Sequence, residues 1–463
     1  MIEAVTSAVA TARAAAAAWA SLRVAERLAI IGRLRSRLAA ASSEVLACRD
    51  WGRPAAETLA AELLPLLDAA RFLEGNAAAV LAPRRPCGRR PAWLFGVRSE
   101  IRREPVGVVL ILAPRNYPLF LSGAQALQAL AAGNAVCVKP APGCTGPMQL
   151  LARLLAEAGL PAGLFQVLDD DHAVGAAAAG AGFDLVVLTG SAETGRAVLR
   201  AAAETLTPCV MELSGNDPVF VLPGASLELV ADCLAYGLRL NGGATCIAPH
   251  RVFAPSDMLE RLERLLLARL TPLPDAAVPG PIRDRAEAAL AAGARLVFGP
   301  APLVLAGDRI TLAPLVCDLF APVLMLIPAA DEAAMLEAAA DGAFALGASV
   351  FGPAAAARAL AGRVRAGTVT VNDIIVPTAD PRLPFGGRGR SGFGVTRGAE
   401  GLLAMTAIKT VSVRSGRFRP HLASPAAADG AVASALIRAT HGAGRTRIGA
   451  ILSLIAQGRR AAR

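Results

Sequence analysis

Three polar side chains, each close to a predicted buried strand or helix, could together carry out chemistry on an acyl group. Asn116 lies in PRNYP, Glu212 in MELSG and Cys246 in NGGATC. A thiol can act as a nucleophile, a carboxylate can activate water, and a carboxamide can donate to an oxyanion. Taken singly, each has an ordinary alternative as core filler, structural acid or turn residue. The hypothesis therefore depends on their joint context.

Alternating strand and helix patterns surround the first two of these residues. Because buried apolar runs alternate with helical periodicity, the segment predicts a parallel, doubly wound sheet with its ligand at the carboxyl edge. The predicted strands are 106–112, 135–139, 163–167, 185–188 and 208–213. The predicted helices are 122–132, 147–158 and 194–205.

A second α/β unit is predicted from about Asp217, with a helix over 227–240 and strands around 322–327 and 368–371. Residues 271–302 are rich in Pro and Gly and are predicted as loops. Two adjacent units imply a cleft between them. Residues 1–80 are predicted to be helical, and a Pro/Arg-rich connector over 81–91 precedes a strand-like stretch over 97–102.

Composition excludes several classes of protein. The chain has 463 residues, 54% hydrophobic and 18% charged, which predicts a globular protein of two or three domains and not a disordered or collagen-like chain. The net charge is +10, but nine Arg and one Asp lie between Val411 and Arg463, so the preceding body is nearly neutral. With four His and 4% aromatic residues, nucleic-acid binding is not predicted.

The distribution of cysteines along the chain predicts the cellular compartment. The eight Cys are scattered without CxxC pairs or metal-ligand spacing, so neither a metal site nor a disulfide framework is predicted, and reduced thiols favour a cytoplasmic location.

No charged residue occurs between Arg115 and Lys139, a length that suits a membrane span. Because Gln125, Gln128 and Asn134 interrupt the run, we predict buried α/β elements instead.

Six segments, in order, closely resemble motifs of the aldehyde dehydrogenase superfamily, in particular its shorter, dimer-forming branch. The resemblance covers roughly residues 1–415 and includes the separation of Glu212 from Cys246. It implies a Rossmann-like, doubly wound cofactor domain, an α/β catalytic domain and a small β oligomerisation element. The segments are EPVGVVLILAPRNYP, LAAGNAVCVKP, LTGSAETGR, MELSGNDP, NGGATCIAPHRVF and LPFGGRGRSGFG.

The resemblance also implies domain boundaries and a homodimer joined through edge strands, one of which contains Lys409. The cofactor domain would comprise residues 1–88 and 105–216, and the catalytic domain residues 217–400. The oligomerisation element would comprise residues 89–104 and 401–415, followed by a basic tail over 416–463.

The catalytic roles implied by the resemblance are those of an NAD(P)-dependent oxidation of an aldehyde to a carboxylic acid. Cys246 would add to the aldehyde carbon, giving a thiohemiacetal and then a thioester. Asn116 and the Cys246 backbone N–H would form the oxyanion hole. Glu212 would deprotonate the water that hydrolyses the thioester.

The cofactor residues carried over by resemblance fall into two groups. At the strand-to-helix turn TGSAETG, a helix N-terminus would meet the pyrophosphate, and Lys139 would reach the adenosine ribose. The segment CDLFAP would hold the nicotinamide ribose. The expected residues are Pro114, Lys139, Gly190, Ser191, Gly195, Asp318 and Phe320.

The chain departs from the family pattern at several places, including Ser214, where Gly is more common after Glu-Leu, and Asp217, near a position often held by another polar residue. Pro142 stands where the family frequently has a Glu that bonds the ribose hydroxyls, so NADP would be tolerated or preferred. Asp318 is one methylene shorter than the usual Glu.

Several alternatives stay open at this point. The chain could be a CoA-acylating or acyl-reducing variant, although Glu212 argues for hydrolysis, or a catalytically silent scaffold. A medium- or long-chain apolar aldehyde as substrate rests on analogy with the branch. The basic tail could make peripheral contact with an anionic membrane, or be solvated or packed against a partner.

Overall fold

The computed structural model describes residues 2–417, 419–422, 424, 426 and 429–461. The chain divides into two compact units, Met1–Ala82 with Arg103–Ala407 and Pro83–Arg102 with Ile408–Arg463. The predicted boundary between cofactor and catalytic domains, at residue 217, falls inside the first unit, and the strand Gly392–Phe393 beyond it pairs with the sheet that precedes it. The four-part division therefore stays a prediction.

The helices and strands are numbered here along the chain. The α-helices are α1 Ile2–Ser21, α2 Val24–Ala40, α3 Ser42–Ala47, α4 Ala55–Thr58, α5 Leu64–Val80, α6 Phe120–Ala132, α7 Thr145–Glu157, α8 His172–Ala179, α9 Ala192–Ala203, α10 Leu227–Arg239, α11 Ser256–Leu267, α12 Gly280–Ala291, α13 Glu332–Ala340, α14 Ala354–Ala361, α15 Gly398–Ala404, α16 Asp429–His441 and α17 Gly444–Ala461. The strands are β1 Val97–Pro105, β2 Val108–Leu112, β3 Ala135–Lys139, β4 Phe165–Val167, β5 Leu185–Gly190, β6 Cys209–Leu213, β7 Asp217–Val221, β8 Pro249–Ala254, β9 Arg295–Phe298, β10 Leu303–Ala306, β11 Val323–Pro328, β12 Phe344–Ala345, β13 Gly347–Phe351, β14 Thr368–Val371, β15 Arg388–Gly389, β16 Gly392–Phe393 and β17 Thr406–Arg414.

The predicted N-terminal helices are present as α1 to α5, with one π-helical turn over Leu59–Leu63. In α1 the buried residues Val5, Val9, Ala12 and Trp19 recur at helical spacing, so one stripe of the helix faces the core. The Trp19 indole N–H donates to the Leu130 carbonyl at 3.0 Å, which fixes α1 to the end of α6.

A six-stranded sheet has the order β16-β6-β5-β2-β3-β4. All its neighbouring strands are parallel except β16, which runs antiparallel to β6. The strands β2 and β3 are buried along their whole length, as expected of parallel strands covered on both faces. The predicted doubly wound sheet is confirmed, and β3 has the predicted bounds.

The second sheet has seven strands in the order β14-β13-β7-β8-β11-β10-β9, parallel except for β9. Because alternate side chains of a strand point to opposite faces, two cores flank the sheet. In β7, Phe220 lies in one core, whereas Val219 and Val221 lie in the other.

The prediction of loops throughout residues 271–302 was wrong. The structure contains α12 and β9 in that segment. The residues Pro279, Gly280 and Pro281 punctuate the sequence like a loop, but Pro at the first turn of a helix is compatible with helix formation.

The uncharged segment between Arg115 and Lys139 contains α6 and β3, which are buried inside the first unit. Within the part of the chain that the structure describes, no helix is long and apolar enough to cross a membrane.

In the second unit, β17 pairs with β1 in a two-stranded sheet, and Lys409 lies in β17 as predicted. The tail contains two helices, α16 and α17, that pack against each other. Both carry exposed apolar side chains beside arginines; the exposed residues are Ile437, Ile448, Ile451, Leu452 and Ile455.

Candidate active site

A cavity of about 380 Å³ in the first unit brings Glu212 and Cys246 into one wall. Much of the remaining wall is apolar, which suits an apolar ligand held by a few polar groups. The apolar lining includes Ala60, Ala61, Pro65, Leu121, Ile375 and Val376.

Glu212 reaches the cavity from the carboxyl end of β6, where β16 pairs with it at Gly392. The carboxylate is 2% exposed. Its Oε2 accepts a hydrogen bond from Thr396 Oγ1 at 3.0 Å, and its Oε1 is buried without a partner. Burial raises the pKa of Glu212, although the Arg397 charge and the Thr396 hydroxyl act in the opposite direction.

Cys246 follows a tight turn in which Asn241 and Gly242 both have positive φ, 52° and 61°. The turn carries the chain from α10 back toward β8 and leaves the thiol on the cavity wall. Burial raises the pKa of the Cys246 thiol, and the nearby Glu212 and Asp217 carboxyls raise it further, whereas Arg397 lowers it. The environment therefore disfavours the thiolate, against the effect of that guanidinium and of a hydrogen bond from the Cys246 backbone.

Asn116 lies next to the cavity but not on its described wall, which its neighbour Tyr117 lines. The Tyr117 hydroxyl bonds Thr245 Oγ1 at 2.7 Å, one residue before Cys246. The Asn241 side chain donates to the Asn116 carbonyl at 3.3 Å. The structure thus brings Glu212 and Cys246 together and ties the Asn116 segment to the turn that carries Cys246.

A buried ion pair fixes these two segments. Arg53 contacts the Glu62 carboxylate at 2.5 Å, with the side chains 3% and 0% exposed. Arg53 also donates to Asn241 Oδ1 at 3.0 Å and stacks over Tyr117. Glu62 accepts the N–H groups of Leu119 and Phe120 at the start of α6, at 3.1 and 2.8 Å. Burial raises the pKa of Glu62 to about 7, against the effect of Arg53 and the two N–H donors.

A second cavity of about 380 Å³ lies at the carboxyl ends of β2, β3 and β5, where a doubly wound sheet binds its ligand. Its lining includes Pro114, Lys139, Pro142 and Gly190. Lys139 Nζ donates to the Asp170 carbonyl at 2.8 Å. Burial lowers the pKa of Lys139, and the neighbouring aspartates raise it.

The remaining residues of the turn shape α9 instead of lining the cavity. Ser191 caps the helix, because its Oγ accepts the Thr194 N–H at 3.1 Å. Gly195 faces β6, where a Cβ would lie 2.8 Å from Leu213 Cδ1. The N-terminus of α9 lies at this cavity, which Gly190 and Thr194 line and which is large enough for part of a dinucleotide.

Asp318 and Phe320 stand outside that cavity. Phe320 is 41% exposed, whereas Asp318 Oδ1 is buried without a partner. Burial raises the pKa of Asp318, and the Ser214 hydroxyl and Phe320 N–H lower it. An unpartnered carboxyl oxygen suits the expected bond to a ribose hydroxyl.

Similar proteins identify the family to which this chain belongs. The sequence model described as "Aldehyde dehydrogenase family" matches residues 2–411. A relative named 4,4'-diapolycopene aldehyde oxidase, from Methylomonas sp, is 32% identical over 84% of this chain and 78% of its own length. A probable coniferyl aldehyde dehydrogenase from Pseudomonas aeruginosa is 30% identical over 78% of this chain and 80% of its own.

Solved structures agree with the fold. An aldehyde dehydrogenase from Mycobacterium tuberculosis, complexed with NAD+, has a TM-score of 0.81 and 27% identity, covering 90% of this chain and 92% of its own. An NAD-dependent aldehyde dehydrogenase from Sinorhizobium meliloti has a TM-score of 0.83 and 27% identity, covering 91% of this chain and 89% of its own.

The fold and the paired cavities thus define a nicotinamide-dependent oxidoreductase, and the chain belongs to the aldehyde dehydrogenase family. It is an enzyme that oxidises aldehydes with NAD(P).

Some residues of the site were not predicted from the sequence. Arg397 lines the cavity with its side chain buried, and Arg53 and Glu62 form the ion pair beneath it. All but two of the 47 basic residues are Arg, so a single Arg carries no signal in this sequence. The one available cue for Arg397 is its place three residues after the end of the glycine-rich segment GRGRSGFG.

Proposed function

We propose that this chain oxidises apolar aldehydes to carboxylic acids through a covalent thioester on Cys246. The observation that carries the proposal is that Cys246 and Glu212 line one largely apolar cavity. Two relatives are named for aldehydes, 4,4'-diapolycopene aldehyde and coniferyl aldehyde, which supports an apolar or aromatic substrate for this chain.

In the first half-reaction the Cys246 thiolate adds to the aldehyde carbon and gives a tetrahedral thiohemiacetal. The negative oxygen is held by the Cys246 backbone N–H and by the Asn116 side chain, whose segment is tied to the turn before Cys246 through the Asn116 carbonyl. NAD or NADP, when bound, supplies the acceptor for the hydride that leaves this carbon. Loss of the hydride and re-formation of the carbonyl leave a thioester on Cys246.

In the second half-reaction Glu212 accepts a proton from water, and the hydroxide attacks the thioester carbon. The tetrahedral intermediate collapses, the carboxylic acid leaves and the thiolate of Cys246 is restored. A buried carboxylate in the same cavity favours water over CoA as the acyl acceptor, because transfer to a thiol requires no water-activating base.

The residues around the second cavity fit a dinucleotide. We infer that the N–H groups at the start of α9 bind the pyrophosphate, that Lys139 bonds the adenosine ribose and that Asp318 accepts from the nicotinamide ribose. Pro142 leaves the adenosine ribose without an acidic partner from its own position. The nearby Asp170 accepts the Gly143 N–H at 2.8 Å and the Thr145 hydroxyl at 3.0 Å, both through Oδ2. We therefore propose that both NAD and NADP bind, which a fluorescence titration with each nucleotide tests.

Three finer proposals concern the whole protein. We propose a homodimer joined through the β1 and β17 strands, and a cytoplasmic location. We also propose that α16 and α17 make peripheral contact with anionic membranes, which the exposed isoleucines beside Arg438, Arg445 and Arg447 support.

A panel of short, aromatic and long-chain aldehydes tests the reaction, with formation of reduced nicotinamide followed in NAD and in NADP. We expect turnover to increase from short to apolar aldehydes and the product to be the carboxylic acid. If addition of CoA converted the product into an acyl-CoA, hydrolysis by Glu212 would be the wrong second step.

A further inference from the structure

Arg397 is a buried cation to which the proposed reaction assigns no task. It is 6% exposed and lines the cavity with Glu212 and Cys246. Its guanidinium stacks over Phe385 at 4.4 Å from the ring centroid, and one terminal nitrogen donates to the Thr378 carbonyl at 2.5 Å. Its Nε is buried without a hydrogen-bond partner. A buried guanidinium that is only partly satisfied is costly for the fold, so its retention calls for a use.

The backbone at Arg397 is also strained. Its φ of 60° and ψ of 175° fall in a region that is essentially restricted to glycine. The conformation is held by the Gln128 side chain, which accepts the Arg397 N–H at 3.0 Å, and by the Gly401 N–H, which donates to the Arg397 carbonyl. Such strain, about 1–3 kcal/mol, persists where the surrounding structure enforces it, often at functional sites. Glycine would relieve it, yet the chain places an Arg there.

The Arg397 guanidinium shares the cavity with two groups that carry negative charge when they are deprotonated. Glu212 on β6 and the Cys246 thiol both interact electrostatically with Arg397. The other titratable groups near the thiol or on the cavity wall are Asp217 on β7, the Tyr117 phenol, Glu57 on α4, and Tyr236 and Arg239 on α10. Of the two arginines on the wall, Arg397 is the one that acts on the thiol. Glu212 Oε1 is buried and unpartnered, so no direct ion pair consumes the Arg397 charge.

We propose that Arg397 is a positioning residue that stabilises the negative charge of the Cys246 thiolate and of the Glu212 carboxylate, and so keeps the nucleophile reactive near neutral pH. The inference rests on the proposed role of Cys246. The charge of a buried side chain such as Arg397 acts over several ångströms, because burial reduces its screening by solvent.

The test is the pH dependence of Cys246 alkylation by iodoacetamide, measured by mass spectrometry on the peptide that contains Cys246. The thiolate is the alkylated form, so the midpoint reports the thiol pKa. In Arg397→Met we expect the midpoint to rise by about one pH unit or more, with alkylation at neutral pH about tenfold slower. Arg397→Lys, which keeps the charge, is expected to restore most of the difference.

Because Glu212 also responds to Arg397, the same comparison is made in a Glu212→Gln background, where the thiol faces the guanidinium without that carboxylate. Arg397→Gln, whose planar amide can still cover Phe385, replaces Arg397→Met if the latter fails to fold. Folding is checked by thermal unfolding and by nucleotide binding. The matched control is Arg382→Met, since Arg382 is exposed and paired with Asp380; its midpoint is expected to equal that of the wild type.

An unchanged midpoint in a folded Arg397→Met, or equal midpoints for the Lys and Met variants, would overturn the proposal and leave Arg397 with a packing role. Failure of the proposed function looks different. In that case Cys246→Ala would still oxidise aldehydes, whereas the alkylation midpoints would still separate the charged from the neutral variants.

Discussion

Burial raises the pKa values of both Cys246 and Glu212, so neither side chain ionises as readily in the cavity as it does in water. The two groups oppose each other, because a carboxylate next to a thiol disfavours the thiolate. Thr396 binds one oxygen of Glu212 and leaves the other buried without a partner. A base whose pKa lies closer to neutrality is better matched to abstracting a proton from water.

Glu212→Gln tests the base. We expect overall turnover to fall by about 10²–10⁴-fold, with an acyl group retained on the protein and visible in its intact mass. In the wild type, hydrolysis should slow as the pH falls through the raised pKa of Glu212, so the acidic limb lies above the ordinary carboxyl range of about 4.3. The variant should lack this limb. Full turnover without acyl accumulation would show that another group activates the water.

Cys246, Glu212 and Asn116 could be proposed from the sequence, because a thiol, an acid and an amide lie in segments that resemble the family's motifs in order. The supporting residues could not be found that way. Glu62 and Arg53 meet across a fold, and their burial and pairing are tertiary properties.

At the level of elements, contacts between neighbouring elements hold the residues of the cavity in place. The strand β16 runs antiparallel to β6 and pairs Gly392 with Glu212. The ion pair of Arg53 and Glu62 fixes the start of α6 against the turn at Asn241. These contacts position Glu212 and the turn that precedes Cys246.

Gly392→Ala is expected to disturb the site through the backbone. Gly392 has φ of +96°, and a Cβ there would lie 1.9 Å from the Met211 carbonyl oxygen. The left-handed conformation costs about 1–2 kcal/mol for an Ala, and the clash adds to it by forcing β16 away from Glu212. Chemical denaturation and steady-state kinetics measure the loss of stability and the fall in kcat.

The matched control is Gly182→Ala, where φ is +74° but a Cβ would have nothing within 4 Å. It should show the backbone cost alone and normal kcat. Equal stabilities and equal kcat values for the two variants would mean that the contact between β16 and β6 does not position Glu212.

The alternation of strands and helices was predictable because buried parallel strands are continuous apolar runs and the helices between them are periodic. The antiparallel strands β9 and β16 were not predicted. They are short, β9 is partly exposed, and β16 consists of Gly392 and Phe393, which gives no period to detect.

At the scale of the whole molecule, the second unit carries the features that concern association. The strand β17 exposes Ile408, which is 62% accessible in the single chain. The tail that follows contains most of the excess positive charge. The clustering of positive charge in the tail could be read from the sequence. The packing of α16 on α17 is seen only in the structure.

The proposed homodimer predicts a mass in solution of about twice 47.2 kDa by sedimentation or light scattering. Ile408→Asp should shift the protein toward monomer, because a buried unpaired carboxylate opposes association. Ile310→Asp, at an 81% exposed site in the first unit, is the control and should stay dimeric. A wild-type monomer, or dissociation of both variants alike, would argue against an interface at β17.

Removal of residues 420–463 tests the tail. We expect the truncated enzyme to oxidise short soluble aldehydes at the wild-type rate and to lose binding to vesicles of anionic phospholipid, which full-length protein binds in a salt-dependent way. Neutral vesicles serve as the control. Loss of folding in the truncated chain would show that the tail is an integral part of the fold. Equal sedimentation of both proteins with anionic vesicles would contradict a peripheral membrane role.

The central claim is that aldehyde oxidation proceeds through Cys246. The direct measurement is formation of reduced nicotinamide by wild type and Cys246→Ala, compared with the same apolar aldehyde and nucleotide, with nucleotide binding used to verify that the variant is folded. The account predicts turnover by the wild type and none above background by Cys246→Ala. Equal rates for the two proteins would contradict it.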